Sequence, residues 1–411
     1  YVSDLSGIPV HQTEYTSETY EAEEQGTDSR TAKAGDKVLL TGGENAFIAD
    51  FTSNQTEHAA FPFSIWNKTM RAVMNDYQEE MMINPPCGGV MELRKSISSY
   101  LKEFCAMYVR PEQIIIGAGT EYLYSILIQL LGRNVCYGVE NPGYPKIAKI
   151  YRSMGVKYEY IDLDEEGTSA KKLEEKKVDI MHISPSHHFP TGMVMPISKR
   201  YELLGWVTRE KERYIIEDDY DSELRLAGKP IPSLQSIDVS GKVIYINTFA
   251  KTLCSTVRIS YMVLPEALAE KYYRELSFYS CTVSNFEQYT LAAFMNAGAF
   301  EKHINRLRNY YQHKRDLILS TFLREPLGKY ITISEEDSGV HFLMHVNTSM
   351  SEQEFLLKTR AKGIRLATLS SFYNAEQKDS RYENTYVMNY SFVNCDRLEY
   401  VAQTLYKIIH P

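Results

Sequence analysis

The sequence predicts an α/β protein with a large, mostly parallel sheet and a second, smaller α+β domain. Two observations carry this prediction. Between Pro111 and Leu264, short apolar runs alternate with helical patterns, which is typical of a parallel sheet with helices on both faces. After residue 326, short strand patterns at 341–346 and 386–390 lie between helical segments, and a helical pattern over 395–409 closes the chain.

The domain organisation follows from where these patterns change. Residues 1–45 are polar, show no sustained period and are interpreted as an arm or linker. Residues 46–90 are assigned to the N-terminal part of the smaller domain and to the entry into the large one. The large domain is predicted over 91–325 and the smaller C-terminal domain over 326–411.

Hydrophobic period identifies the individual elements. Leu93, Ile97, Leu101 and Phe104 recur at helical spacing and are predicted to share one buried helix face. The predicted strands of the first three quarters of the chain cover 47–51, 114–116, 135–139, 158–163, 179–183, 214–217, 243–246 and 259–264. The predicted helices cover 61–75, 120–131, 144–154, 169–177 and 196–212, and 266–323 reads as helical.

Composition describes an ordinary globular protein and excludes some functions. The 411 residues carry a net charge of −8, which argues against this chain by itself wrapping nucleic acid. No apolar run approaches the roughly 20 residues that span a bilayer. The six cysteines are scattered without metal-ligand spacing, so we expect reduced thiols, a cytoplasmic protein and no metal site.

A lysine between two apolar strands is the most informative single residue. Lys251 lies in the stretch Tyr-Ile-Asn-Thr-Phe-Ala-Lys-Thr-Leu-Cys-Ser-Thr-Val-Arg at 245–258, and Arg258 precedes the second strand. A lysine held between buried strands is costly unless its charge is removed or matched. A Schiff base with an aldehyde cofactor gives such a lysine a role, and a solvated loop lysine is the plain alternative.

Two turns at strand ends contain residues suited to a phosphate and to a ring. Gly-Ala-Gly-Thr-Glu at 117–121 joins a strand to a helix, and its glycines and free helix N–H groups suit a phosphate. Glu-Asn-Pro-Gly-Tyr-Pro at 140–145 places Tyr144 where an aromatic ring could stack. Taken singly, each is equally an ordinary structural turn.

Two further turns carry histidines and carboxylates. Ser-Pro-Ser-His-His-Phe-Pro-Thr-Gly at 184–192 has two adjacent histidines, but neighbouring side chains point apart, which disfavours zinc. Glu-Asp-Asp-Tyr-Asp at 217–221 could bind a divalent cation or form a solvated acidic turn. A buried aspartate there could also partner a protonated heterocyclic nitrogen.

Together, these turns offer a phosphate cradle, a stacking ring and a carboxylate, and with the lysine they make the set that pyridoxal 5′-phosphate needs. The lysine forms an internal aldimine, a carboxylate holds the proton of the pyridine ring, and an arginine with helix N–H groups binds the phosphate. Each group lies at a strand end of one predicted sheet, where ligands of such sheets bind. Pyridoxal phosphate is therefore the predicted cofactor.

These motifs resemble the pyridoxal-phosphate enzymes of aminotransferase class I/II, fold type I. More closely, residues 46–410 resemble the aminotransferase-like domain of MocR-type regulators of the GntR superfamily. The resemblance implies the aspartate aminotransferase-like fold and a homodimer. It also implies an N-terminal winged helix that precedes this domain, and Tyr-Val-Ser-Asp at 1–4 is similar to that junction. DNA would then be bound only through a domain outside this chain.

The resemblance also implies residue roles. Lys251 carries the cofactor, Asp218 faces the pyridine nitrogen, Tyr220 touches the phenolic oxygen and Tyr144 stacks on the ring. These roles make Lys251, Asp218 and Tyr220 the predicted catalytic residues. Thr248, Arg258 and the backbone near Gly119 and Thr120 are predicted to bind the phosphate, and Glu121 is also a predicted cofactor-binding residue.

The sequence departs from the aminotransferase pattern at three positions. Thr385 stands where an arginine usually binds a substrate carboxylate, with Arg381 nearby but out of register. Ile83 stands where a neighbouring subunit usually lends a tyrosine to the phosphate. Phe189 replaces the asparagine of ordinary aminotransferases, although MocR-type domains have an aromatic residue there.

Two functions follow from the resemblance. The first is transaminase-type chemistry on a small amine or amino acid. The second is an effector-sensing domain of a MocR-type regulator with little or no turnover. A scaffold that has lost the cofactor is disfavoured because Asp218, Tyr220, Lys251 and Arg258 are all present.

Overall fold

The computed structural model describes residues 47–226, 231–337, 339–374 and 382–410. The predicted arm over 1–45 lies outside these ranges. The strands are β1 (Ala49–Asp50), β2 (Ile114–Gly117), β3 (Cys136–Asn141), β4 (Lys157–Asp162), β5 (Ile180–Ile183), β6 (Tyr214–Asp219), β7 (Val243–Thr248), β8 (Ser260–Val263), β9 (Ile331–Ser334), β10 (His341–Val346), β11 (Ile364–Arg365), β12 (Ala367–Thr368) and β13 (Thr385–Asn389).

The helices agree closely with the helical patterns of the sequence. They are α1 (Phe63–Asp76), α2 (Gln78–Met81), α3 (Met91–Cys105), α4 (Thr120–Leu131), α5 (Pro145–Ser153), α6 (Ala170–Glu175), α7 (Ile197–Val207), α8 (Leu234–Ile237), α9 (Glu266–Glu275), α10 (Asn285–Asn296), α11 (Ala299–Phe322), α12 (Glu352–Ala361) and α13 (Leu398–Ile409).

The large sheet has seven strands in the order β2-β8-β7-β6-β5-β3-β4. All its pairings are parallel except those of β8, which is antiparallel to β2 and β7. Strands β5, β7 and β8 are buried at every position, because helices cover both faces of the sheet. The prediction of a mostly parallel sheet is confirmed.

Helices pack on the sheet in two layers with separate cores. Helices α3 and α10 cover one face, where Leu93, Ile97 and Phe294 pack against Tyr245. Helices α4, α5 and α9 cover the other face, where Leu127 belongs to the core. Because side chains alternate along a strand, consecutive residues of β6 face these two layers in turn.

The smaller sheet has four antiparallel strands in the order β12-β13-β10-β9. Strand β1 pairs with β11, so residues next to position 50 pack with the C-terminal part of the chain. Helix α11 also packs there through Tyr311 and Ile318. This agrees with an N-terminal contribution to the smaller domain, while the boundaries at 90 and 325 stay predictions.

Three details differ from the sequence patterns. Phe104 was expected on the buried face of α3, but 57% of its surface is exposed, because α3 ends at Cys105 beyond the edge of its core. Helix α7 ends at Val207 rather than near 212. The stretch 266–323 is broken into three helices, with 276–284 non-helical.

Among the described residues, no helix is long and apolar enough to cross a membrane. The six cysteines all lie within the described ranges and are free thiols.

Candidate active site

The polar turns of the sequence meet at one edge of the large sheet, where its parallel strands end. The turns follow, in chain order, Gly117, Asn141, Ile183, Asp219 and Thr248. Side chains join them: Arg258 Nη2 lies 2.6 Å from Glu121 Oε2, and the Tyr144 ring packs edge-to-face on Phe189 at 5.9 Å. The structure therefore brings the predicted site residues to a common edge.

Lys251 lies in the turn after β7, with its amine mostly buried. Its Nζ donates a hydrogen bond to Asn54 Oδ1, which also accepts one from Asn389 Nδ2 at 3.0 Å. Burial lowers the pKa of Lys251 to about 8, and the Asp221 carboxylate opposes that shift. The neutral amine is the form that attacks an aldehyde, so this environment prepares Lys251 as a nucleophile.

Asp218 is buried on β6 and has one oxygen without a partner. Its Oδ2 accepts a hydrogen bond from the Tyr124 hydroxyl and lies 3.5 Å from His182 Nε2. Its Oδ1 has no hydrogen-bond partner among the described residues. Because a buried carboxylate oxygen needs a donor, a protonated ring nitrogen fits this position. Asp218 thus fits the pyridine-binding role that the sequence predicts.

Tyr220 belongs to a small network with His187 and Asp221. His187 Nδ1 lies 2.9 Å and 3.0 Å from the two Asp221 carboxylate oxygens and 3.2 Å from the Tyr220 hydroxyl. An ionised carboxylate can only accept hydrogen bonds, so His187 Nδ1 carries the proton. The Nδ1–H group donates to Asp221 and also to the Tyr220 oxygen. The Tyr220 proton is then free to be donated to another group. Burial, reinforced by Asp221, raises the pKa of Tyr220.

The turn before α4 is shaped to hold an anion. Gly119 has φ +92°, and a Cβ there would lie 2.1 Å from Arg258 Nη2, so glycine is required for the guanidinium to approach. Thr120 begins α4, whose first N–H groups have no partner within the helix. Arg258 Nη2 also donates to the Ala118 carbonyl at 3.3 Å. These groups fit a phosphate.

Glu121 orients the cations of this turn. It accepts hydrogen bonds from Lys146 and Arg258. Burial would raise the pKa of Glu121, but the bonds from Lys146 and Arg258 outweigh it and lower the pKa to about 2. A carboxylate repels a phosphate, so Glu121 acts by holding Arg258; its direct contact with the cofactor stays a prediction.

Thr248 and Tyr144 differ in their surroundings: Thr248 is hydrogen-bonded within its turn, and Tyr144 is partly exposed. Thr248 Oγ1 accepts hydrogen bonds from Ser260 Oγ at 2.8 Å and Ala250 N at 3.2 Å, and so orders the turn that carries Lys251. Tyr144 precedes α5 and is 46% exposed, which leaves ring surface for stacking. Direct cofactor contacts of both residues stay predictions.

The four carboxylates of 217–221 serve separate purposes. Glu217 accepts backbone N–H bonds from Leu234 and Gln235 at 2.8 Å and 2.9 Å, and Asp219 accepts from Tyr245 at 2.8 Å. The described residues contain no group of three or more His, Cys, Asp and Glu side chains that could hold a metal ion. Neither the cation site nor the solvated acidic turn describes this segment.

The adjacent histidines also separate. His187 contacts Asp221, whereas His188 Nδ1 lies 2.7 Å from Thr191 Oγ1. Burial lowers the pKa of His188 to about 3, so it is neutral. Sequence reasoning missed Asp221, His187, Asn54 and Asn389 as neighbours of the site.

Strand β13 carries Thr385, which stands where ordinary aminotransferases have an arginine that binds a substrate carboxylate. Thr385 lies at the start of β13, with its hydroxyl 3.3 Å from His345 Nδ1, and Arg381 lies outside the described residues. Asn389, at the end of the same strand, is the residue that approaches Lys251 through Asn54. Ile83, which stands where a neighbouring subunit usually lends a tyrosine to the phosphate, has 63% of its surface exposed.

A buried lysine, a buried aspartate and a phosphate cradle on this fold define the pyridoxal-phosphate enzymes of fold type I. The family model for aminotransferase class I and II matches residues 48–381. The chain therefore belongs to the aminotransferase class I and II family. The match confirms the predicted family and its cofactor, pyridoxal phosphate.

Within the family, the chain is similar to curated proteins named as regulators. It is 39% identical over 330 residues to the uncharacterized HTH-type transcriptional regulator YdeL of Bacillus subtilis, covering 80% of this chain and 71% of that protein. It is 30% identical to the probable rhizopine catabolism regulatory protein MocR of Rhizobium meliloti, covering 78% of this chain and 65% of that protein. The predicted resemblance to MocR-type domains is confirmed.

Solved aminotransferases share the fold. The kynurenine aminotransferase of Pyrococcus horikoshii aligns with a TM-score of 0.75 and 22% identity, covering 89% of this chain and 91% of that chain. An archaeal alanine:glyoxylate aminotransferase aligns with a TM-score of 0.76 and 21% identity, covering 88% and 90%. The predicted aspartate aminotransferase-like fold is confirmed.

The lowered pKa of Lys251 predicts how cofactor attachment depends on pH. Below about pH 8 the amine is protonated and unreactive, and above it the amine is neutral. When the cofactor-free chain is mixed with pyridoxal phosphate, the initial rate of attachment should rise with a midpoint near pH 8, against about 10.4 for an ordinary lysine. Stopped-flow absorbance checks this, and a midpoint near 10 would contradict it.

The role of Arg258 is tested by comparing two forms of the cofactor. Arg258→Gln should weaken pyridoxal phosphate binding about 10- to 100-fold, since charge-assisted hydrogen bonds to the phosphate are lost. Binding of pyridoxal, which lacks the phosphate, should hardly change. Arg365→Gln, which removes an arginine paired with Asp50, serves as the control. Equal weakening of both cofactors in spectrophotometric titrations would refute the phosphate role.

Proposed function

We propose that Lys251 holds pyridoxal phosphate covalently and that the chain reacts with a small amine or amino acid, as transaminases do. The supporting observation is that a mostly buried amine with a pKa of about 8 and a buried carboxyl with an unbonded oxygen, Asp218, lie at one edge of the sheet. Both are costly without a ligand, and this cofactor satisfies both.

Each residue has a distinct task in this proposal. Pyridoxal phosphate supplies an aldehyde that captures amines and a protonated ring that withdraws electrons from the amine's α-carbon. Asp218 holds the proton on the ring nitrogen, and Tyr220 donates a hydrogen bond to the phenolic oxygen. Arg258 binds the phosphate. Once an incoming amine has replaced it on the aldehyde carbon, the free Lys251 Nζ would take up the proton that leaves the α-carbon.

The second candidate is an effector-sensing domain of a transcriptional regulator, with little or no turnover. The similar proteins YdeL and MocR are named as regulators, and this observation favours the second candidate. Asn389, the β13 residue next to the lysine, is a neutral amide and gives a substrate carboxylate no opposite charge. In this form, amine binding would alter the domain and an attached DNA-binding domain would respond.

The homodimer and the cytoplasmic location stay predictions from the sequence. So does the choice of amine.

The attachment site is tested by removing the lysine. Lys251→Ala should abolish the visible absorption band of the protein-bound cofactor, because no amine remains to hold it. Lys149→Ala, an exposed lysine of α5, should keep the band. Wild-type protein without any band after addition of pyridoxal phosphate would rule out both candidates.

The same preparations separate the two candidates. A panel of amino acids and amines is mixed with the cofactor-bound chain, and the spectrum and the released keto acid are both followed. A spectral change with less than one keto acid per chain supports the sensing domain. Many keto acids per chain support the transaminase. The Lys251→Ala chain should release none.

A further inference from the structure

Apart from the proposed cofactor site, a cavity lies on the face of the large sheet opposite the one to which Asp218 points. Asp218 points toward Tyr124 on α4, whereas the next residue, Asp219, accepts a hydrogen bond from Tyr245 and borders this cavity. Its volume is about 550 Å³, within the range of small-molecule sites. Lys251 is not among its lining residues, so it is separate from the proposed cofactor site.

One wall of the cavity carries a buried carboxyl that is only half satisfied. Glu223 is 6% exposed; its Oε1 accepts a hydrogen bond from Asn247 Nδ2 at 3.1 Å. Its Oε2 is buried without a hydrogen-bond partner in the described part of the chain. Burial, reinforced by the charge of Asp219, raises the pKa of Glu223 to about 8. A cationic partner in the cavity would supply the donor that this oxygen lacks.

A cation beside Glu223 is also without an acidic partner in the described part of the chain. Arg308, on α11, donates through Nε to the Glu223 carbonyl at 2.5 Å. Its guanidinium forms no ion pair within the described ranges, although it lines the cavity. Among the charged side chains of the lining, which also include Lys102, Glu103, Asp219 and Glu301, Glu223 can accept from an ammonium group and Arg308 can pair with a carboxylate.

Part of the remaining lining is apolar and could contact a flat apolar group, alongside polar side chains such as Ser222 and Asn305. Tyr100 and Phe104 of α3 line it with Ile304 of α11 and Pro232. This explains a finding above: Phe104, turned away from the core of α3, borders the cavity instead. Apolar and aromatic walls with a few polar groups are typical of ligand pockets.

We propose that this cavity binds an amino acid with an aromatic side chain. The ammonium group meets Glu223 Oε2, the carboxylate meets Arg308, and the side chain packs between Tyr100, Phe104 and Ile304. A simple amine would leave Arg308 without an acidic partner, and a simple carboxylic acid would leave Glu223 Oε2 without a donor. The site is independent of whether the chain turns over a substrate at Lys251.

The test compares three ligands that differ by one charged group. The full chain is loaded with pyridoxal phosphate and reduced with borohydride, which blocks exchange with amines at Lys251. L-phenylalanine, 2-phenylethylamine and 3-phenylpropionate are then titrated in by calorimetry. L-phenylalanine should bind once per chain, and the other two at least about tenfold more weakly, because each loses one charge-assisted pair.

Variants assign the two ends of the ligand. Glu223→Gln should weaken L-phenylalanine at least about tenfold and leave 3-phenylpropionate unchanged, whereas Arg308→Gln should weaken L-phenylalanine and leave 2-phenylethylamine unchanged. Lys302→Gln removes an exposed charge of α11 outside the cavity and should change nothing. Circular dichroism confirms that each variant folds.

Three outcomes would overturn the proposal. The first is no binding of L-phenylalanine to the wild-type chain. The second is equal binding of L-phenylalanine to Glu223→Gln and wild type, and the third is binding of 2-phenylethylamine as tight as that of L-phenylalanine. A chain that takes up no cofactor is titrated without reduction, so failure at Lys251 and failure at this cavity are distinguishable.

Discussion

The site is organised by a buried carboxyl that the protein satisfies only in part. Asp218 sits near the end of β6, between β5 and β7 in the middle of the sheet. The Tyr124 hydroxyl donates to one of its oxygens, His182 Nε2 lies 3.5 Å from that oxygen, and the other oxygen has no described partner. Leaving a buried acceptor unbonded costs about 1–3 kcal/mol. The fold tolerates this cost at the sheet edge where Lys251 and Arg258 also converge, which is the arrangement expected where a charged ligand completes the structure.

The parallel sheet explains why so much of this site was predictable from the sequence. Hydrophobic alternation located the strands, and parallel strands end at one edge, so turns far apart in sequence had to meet there. The four turns and Lys251 were found in this way. The turn at 117–121 was predicted to bind a phosphate from its glycines between a strand and a helix, whereas the fit between Gly119 and Arg258 is visible only in the structure: only glycine leaves room for the guanidinium.

Contacts between distant segments were not predictable. Asn54 and Asn389 are 335 positions apart and meet at Lys251 because β1 packs with the C-terminal part of the chain. No local pattern marks either residue. Asn389 lies at the other end of β13 from Thr385 and reaches Asn54, and strand period does not show this, since it fixes which face a residue takes but not how far along the strand a site lies. The prediction that Phe104 is buried was wrong for a related reason, because helical spacing shows which face of a helix a residue takes but not where the core ends.

We propose that Asp218 keeps the ring of a bound pyridoxal phosphate protonated. The most direct test is a ¹⁵N NMR spectrum of the full chain loaded with cofactor labelled at the ring nitrogen. We expect the ring nitrogen to show the chemical shift of a protonated pyridinium in the wild-type chain and that of a neutral pyridine in Asp218→Asn. A neutral ring nitrogen in the wild-type chain, or the same shift in both proteins, would contradict it.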